Sequence, residues 1–248
     1  MMKKLLLIFI LFLNILYAKG INIVVSPEAS FVIQMLKKDF LLYAPDVTIT
    51  LKIQNNKKLL ATIEKKSHYD IFLSNDVFTP NAMYNKGLTL YKPKIYARGL
   101  LVMFSKKNRS FCSEIYLFNS KKIKQISIIR PLKSLYGQAT SEAFLNIGIY
   151  DEIKDKFVYN NSSAKTLKNI LEVTNIGIIP KSFVFMPFME TYLEKLNYKE
   201  IKRRLYVAPK QGMVLFKRAK NNQEDKDFYR FILSKKGKRI LKKYGYTL

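Results

Sequence analysis

The chain has 248 residues, 48% of them apolar and 25% charged, with only nine glycines and eight prolines, which is a globular composition that excludes disorder and collagen-like repeats. Forty-four basic residues against 18 acidic ones give a formal charge of +26. One cysteine and one histidine exclude a disulfide framework, a Cys/His zinc site and a paired-cysteine redox motif.

The N-terminus reads as an export signal. Lys3 and Lys4 precede an apolar run over residues 5–16 broken only by Asn14, and Ala18 supplies a small residue for cleavage. The run is about a dozen residues, short of the roughly 20 that span a bilayer. No cysteine follows it, so a lipoprotein anchor is excluded. An exported, soluble, periplasmic protein is expected, with residues 1–18 as the signal peptide. Cys112 then sits alone in an oxidising compartment, harmless if it is buried.

Past the signal, strand and helix patterns alternate. Residues 22–25 read as a short strand. Val32, Met35, Leu36, Phe40 and Tyr43 recur at helical spacing until Pro45-Asp46 ends the helix. Residues 47–53 alternate as a half-buried strand, 58–65 read as a short helix and 69–74 as a buried strand. Further strands are expected at 99–104, 125–129, 176–179, 206–208 and 213–216. Helices are expected at 141–147 and 164–173, with a closing helical region over 225–244 interrupted near Gly237. This order predicts an α/β protein of mostly parallel sheets with helices on both faces, without repeats or a Gly/Ser tether, and hence two lobes joined by ordinary strands.

Four strand-to-helix junctions carry small or polar residues: Ala29-Ser30, Asn55-Asn56, Tyr136-Gly137 and Ser162-Ser163. A helix N-terminus leaves N–H groups unpaired and carries partial positive charge, so several such ends converging form an anion site without lysine or arginine. Serine and asparagine also cap helices in general, so each junction taken singly reads equally as a cap.

Along its mature length the chain resembles the periplasmic molybdate-binding proteins of bacterial ABC transporters. The resemblance is carried by the first strand with Ala29-Ser30, by YDIFLSND at residues 69–76, and by RGLLVMFSKKN at 98–108. It continues in NIGIIP at 175–180 and in FYRFILSKKGKRILKKYGYTL at 228–248. It implies the two-lobed, hinge-closing fold of class II solute-binding proteins, with residues 19–100 and 208–248 in one lobe and 101–207 in the other. It also implies capture of a tetrahedral oxyanion, molybdate or tungstate, with no cofactor and no metal beyond that of the oxyanion. Delivery would be to an ABC permease and ATPase in the inner membrane, by a monomer with no expected nucleic-acid partner.

Carried over by position, the resemblance makes Ser30 a hydroxyl and N–H donor to the oxyanion, and Asn56 stands where a second serine is expected. Tyr136 and Ser162 would contribute backbone N–H groups. Two positions depart from the pattern. Pro180 replaces a ligand tyrosine, and Ile129-Arg130-Pro131-Leu132 replaces an acidic Gly-Asp-Pro-Glu segment. Glu28 lies two residues before Ser30. A carboxylate beside a buried dianion costs several kcal/mol unless it faces away or is paired, at the level of roughly 3–5 kcal/mol for an unmatched buried charge. Arg130 and Lys133 are therefore expected either as its partners, as secondary charge contacts to the anion, or, like Glu28 itself, as surface residues.

His68 reads as a loop residue and Cys112 lacks the His/Asp partners of a nucleophile. The lysine pairs are dispersed along the chain and read as solvated faces. Two function classes stand: an oxyanion-binding module, and a basic exported protein that binds polyanions such as nucleic acid or an anionic membrane surface. No pair of acids marks an enzyme.

Overall fold

The structure is a computed structural model and describes residues 20–63, 68–194 and 197–248. The signal-peptide segment and the Lys65-Lys66 pair lie outside the described residues.

Two sheets organise the molecule. The first holds β1 (Ile21–Val25), β2 (Ile49–Ile53), β3 (Ile71–Leu73), β4 (Lys94–Gly99), β10 (Lys210–Leu215) and β11 (Tyr246–Thr247), in the order β11-β4-β10-β3-β1-β2. The second holds β5 (Leu101–Ser105), β6 (Ile126–Ile129), β7 (Phe157–Asn160), β8 (Ile176–Pro180) and β9 (Tyr198–Glu200), in the order β7-β6-β8-β5-β9. Each sheet with its helices forms a lobe.

Strand composition explains the layering. β1 reads INIVV; Ile21, Ile23 and Val25 enter one core and Val24 the other, so both faces of the strand are covered. On the first face lie α1 (Ser30–Phe40), α8 (Gln223–Leu233) and α9 (Lys235–Lys243). α2 (Asn56–Thr62) and α3 (Phe78–Asn85) cover the second face, through Leu59 and Met83. β5 divides likewise: Leu101 and Met103 pack on the side of α4 (Leu135–Asn146), Val102 and Phe104 on the side of α6 (Ser163–Asn169). Two short helices, α5 (Tyr150–Ile153) and α7 (Glu190–Glu194), complete the second lobe. Along α1 the fully covered side chains Val32, Ile33 and Leu36 form one stripe, each contributing about 1.5–3 kcal/mol. Lys37 and Lys38 close its last turn, where cations complement the helix dipole.

The sheets are mixed rather than mostly parallel. Among the described residues, β1 pairs in parallel with β2 and β3, and β6 with β7 and β8, while every pairing made by β5, β10 or β11 is antiparallel. The cause is the connection between lobes. β5 and β10 are the strands that follow each crossing, and each enters its new sheet against the direction of its βαβ strands.

Three other expectations change. Residues 206–208 form no strand; a 3-10 turn at Arg203–Leu205 leads to β10, and the buried Tyr206 instead accepts the Leu101 N–H on its Oη at 3.0 Å. The closing helices part at Ser234, three residues before Gly237, because the Ser234 hydroxyl accepts the Gly237 N–H at 3.1 Å and caps α9. The helix expected at 164–173 ends as a π-helical turn, Ile170–Thr174, closed by Asn175 in the left-handed region at φ 61°.

The first crossing is tight. Leu100 links β4 to β5, and Gly99 packs on the buried Tyr136 of α4 so closely that a Cβ there would stand 2.1 Å from the tyrosine oxygen. Only glycine leaves room at this junction.

Candidate functional site

The C-terminal ends of β1, β3, β7 and β8 face one another across the gap between the sheets, the usual location of a ligand in α/β folds. After β1 the chain turns through a 3-10 segment, Pro27–Ala29, into α1. That turn projects Glu28 into the cleft, where it is 7% exposed. Its Oε2 accepts from Asn75 Nδ2 of the first lobe at 2.7 Å, and its Oε1 accepts from Ser163 Oγ of the second at 2.9 Å. The Glu28 carbonyl oxygen accepts from Tyr246 Oη at 2.8 Å and from Ser182 Oγ at 3.2 Å. One residue thus joins the N-terminal turn, the end of β3, the start of α6, the end of β8 and the last strand.

A polar network backs this residue within the first lobe. The two N–H groups of Asn56 Nδ2, at the start of α2, are shared among three acceptors, Ser74 Oγ, Asn75 Oδ1 and Asp76 Oδ2, at 2.8, 2.7 and 2.6 Å. Its Oδ1 accepts from Ser26 Oγ at 2.5 Å. Ser26 Oγ in turn accepts the Asn75 N–H at 3.1 Å, which fixes the loop that presents the Asn75 amide to Glu28. Asp76 is held by Thr79, whose N–H and hydroxyl donate to it at 2.7 and 3.0 Å. On the far side Gln211 Nε2 donates to Tyr136 Oη at 3.3 Å, and Tyr96 Oη donates to the Ser74 carbonyl at 3.3 Å.

Burial governs the electrostatics around Glu28. Burial pushes the Glu28 carboxyl up from its ordinary value, and the charge of Asp76 adds to this, against the lowering effect of the hydrogen bonds it accepts. Burial also raises the Tyr96, Tyr136 and Tyr246 phenols, with Glu28 as a further cause, so all three stay protonated. Among the described residues Glu28 forms no ion pair with a lysine or arginine.

The residues singled out in the sequence fall as follows. Ser30 is buried at the start of α1, with both its N–H and its hydroxyl directed to the Pro27 carbonyl, the hydroxyl at 2.8 Å. Asn56 belongs to the network around Asn75. Tyr136 is buried, its N–H bonded to the capping Ser134 Oγ at 3.1 Å. Ser162 caps α6, accepting the Lys165 N–H at 3.2 Å, and its neighbour Ser163 is the residue that points inward to Glu28. Pro180 ends β8 opposite Leu101, and the following Lys181 N–H bonds the Leu100 carbonyl at 2.8 Å. The expected pairing of Glu28 with Arg130 or Lys133 does not occur. Arg130 is exposed over the Tyr159 ring at 5.2 Å and Lys133 is exposed on a 3-10 turn, so uncharged donors meet the carboxylate instead. His68 and Cys112 are both exposed.

Sequence reasoning missed Ser163, Asn75, Ser182 and Tyr246. Ser163 adjoins a cap; which of two serines caps and which faces inward depends on backbone geometry. Asn75 and Tyr246 stand inside segments singled out for their resemblance, and only the folded chain shows that they meet. Beside Ser30 opens a cavity of about 360 Å³, lined by Pro27 and Ile53 on one side and by Leu167, Leu171, Phe183 and Met186 on the other.

The likeness to known proteins agrees with this architecture. The chain is 24% identical over 188 residues to the molybdate-binding protein ModA of Azotobacter vinelandii, covering 75% of this chain and 73% of that one. Its fold superimposes on the solved periplasmic molybdate-binding protein of Azotobacter vinelandii with a TM-score of 0.76 at 18% identity, covering 92% and 99% of the two chains. On the substrate-binding domain of a putative molybdenum ABC transporter from Clostridium difficile the TM-score is 0.74 at 18% identity, with 92% and 98% covered. The profile of the bacterial extracellular solute-binding proteins matches residues 21–247, nearly the whole described chain, and the protein belongs to that family.

Proposed function

We propose that the protein is the extracytoplasmic substrate-binding component of an ABC importer that captures a tetrahedral oxyanion, molybdate or tungstate, between its lobes. A membrane permease and its ATPase would receive the ligand, and the chain would act in the periplasm as a monomer freed of its signal peptide, without a lipid anchor. In this reading residues 19–100 and 208–248 form one lobe and 101–207 the other. They close about the two crossings, and the ligand favours the closed arrangement and so shifts the population toward it. The observation that carries the reading is the pair of neutral donors, Asn75 Nδ2 from one lobe and Ser163 Oγ from the other, converging on the two oxygens of the Glu28 carboxyl between the lobes. Fixed amide and hydroxyl donors in a water-poor cleft are the means by which an anion is bound by size and geometry rather than by countercharge. The surplus of positive charge speeds encounter with an anion without choosing among anions.

The test is thermal unfolding of the mature chain, followed by circular dichroism because the protein lacks tryptophan, with molybdate, tungstate, sulfate and phosphate in turn. An anion at about 100 times its dissociation constant stabilises by about 2.7 kcal/mol, which raises the midpoint by roughly 5–10 °C for a chain of this length. A rise with molybdate and tungstate and none with sulfate is the expected result. Equal responses to all four anions, or none to any, would overturn the assignment.

A further inference from the structure

Glu28 stands where an oxyanion reading would place the anion itself, and it already uses donors from both lobes. It is buried, and among the described residues no cation pairs with it. A fully deprotonated oxyanion entering beside an ionised Glu28 would put two unmatched negative groups in one dry cleft. The backbone of Glu28 is pinned, its carbonyl held by Tyr246 and Ser182, and swinging the carboxylate aside would break the bonds it accepts from Asn75 and Ser163. The arrangement that satisfies every group is a protonated Glu28, its O–H donating to an oxygen of the ligand and its other oxygen still accepting from a lobe donor.

Resting on the oxyanion reading, we infer that Glu28 is a ligand-contacting residue of this site and that the anion is captured together with one proton shared between the Glu28 carboxyl and a ligand oxygen. The groups that face Glu28 favour this. Asp76, beyond β3, adds negative charge. The phenols of Tyr96 on β4, Tyr136 on α4 and Tyr246 on β11 are neutral and supply no cation. The nearest basic residue of the adjoining 3-10 turn, Lys181, is spent on Glu200 at 2.6 Å. Lys165 and Lys168 of α6 are exposed.

The experiment is isothermal titration of the mature protein with molybdate from about pH 6 to about pH 9, a range over which that anion stays deprotonated. Each pH is run in two buffers of different ionisation heat, so that proton uptake is read directly. The wild type is expected to take up a proton on binding wherever free Glu28 is ionised, and to lose affinity with rising pH at a slope approaching about tenfold per unit toward the alkaline end. Glu28→Gln, which keeps the shape and the donor of the protonated acid, is expected to bind with no proton uptake and a flat pH profile. By about pH 9 it should bind at least tenfold more tightly than the wild type. Anion binding by the wild type that is flat with pH and without proton uptake would overturn the inference while leaving the oxyanion reading intact. Absence of binding at every pH in both proteins would overturn that reading and the inference with it. The buffer series on the wild type decides the matter even if the variant folds poorly.

Discussion

Asp225 offers a quantitative test of how burial controls this protein's stability. It lies in the first turn of α8 with no solvent exposure, and neither carboxylate oxygen has a hydrogen-bond partner of good geometry among the described residues. Burial, with the nearby charge of Asp70 adding to it, raises its carboxyl from 3.8 to about 7 against the lowering effect of the Asn222 side chain and the Arg218 charge. An acid whose folded value is raised costs stability when ionised. The cost is absent below about pH 4, grows as pH rises toward 7, and is complete above it. A shift of about three units corresponds to about 4 kcal/mol, of which about 2.6 kcal/mol is added between pH 5 and pH 8. Asp225→Asn keeps the volume and removes the titration. Urea or thermal unfolding of both proteins at the two pH values should show the variant gaining on the wild type by about 2.6 kcal/mol, or roughly 5–10 °C in midpoint. Effects of packing, and the titration of Glu28, are common to both pH values or both proteins and cancel in the difference. An equal stability difference at pH 5 and pH 8 would refute the reasoning, because a carboxyl whose folded value is raised must lose stability as it ionises across that range.

Other perturbations follow from the cleft. Gly99→Ala places a methyl group 2.1 Å from Tyr136 Oη and is expected to cost about 1–3 kcal/mol. Tyr136→Phe removes that oxygen, so the double variant should lose less than the sum of the two, as read by a denaturation cycle; strict additivity would mean that the contact relaxes freely. Ser163→Ala withdraws the second-lobe donor from Glu28 and should destabilise by about 1–3 kcal/mol. Calorimetry should at the same time show weaker anion binding, and an unchanged dissociation constant would remove Ser163 from the site.

The fold was largely legible because the core strands are so plainly aliphatic. INIVV, YDIFLSND and RGLLVMFSKKN each hold both faces of a buried strand. Strand direction was not legible. Whether Met213 and Val214 run with or against β3 depends on a crossing between lobes that leaves no local mark. The short edge strand β9, three half-exposed or exposed residues, carries too little apolar pattern to announce itself. At the site, the four helix starts were visible, and at three of them the groups singled out are engaged within the protein. Ser30 bonds Pro27, Ser134 takes the Tyr136 N–H, and Asn56 faces the Asn75 loop. Glu28 was conspicuous in the sequence as a misplaced charge. Its uncharged partners were not, because Asn75, Ser163 and Tyr246 lie 47, 135 and 218 residues away from it.

The position of β10 between β3 and β4 has a consequence for the order in which the protein is made. The strands nearest the N-terminus emerge first, yet their sheet is split down the middle until residues 210–215 arrive, and its far edge is missing until 246–247 do. The second sheet needs nothing beyond Glu200. Synthesis therefore favours completion of the second sheet first, with the β1–β2–β3 group and β4 waiting for β10 to join them into one sheet. For a polypeptide threaded through a membrane before it works, that wait keeps the leading end supple until the trailing end has cleared the passage.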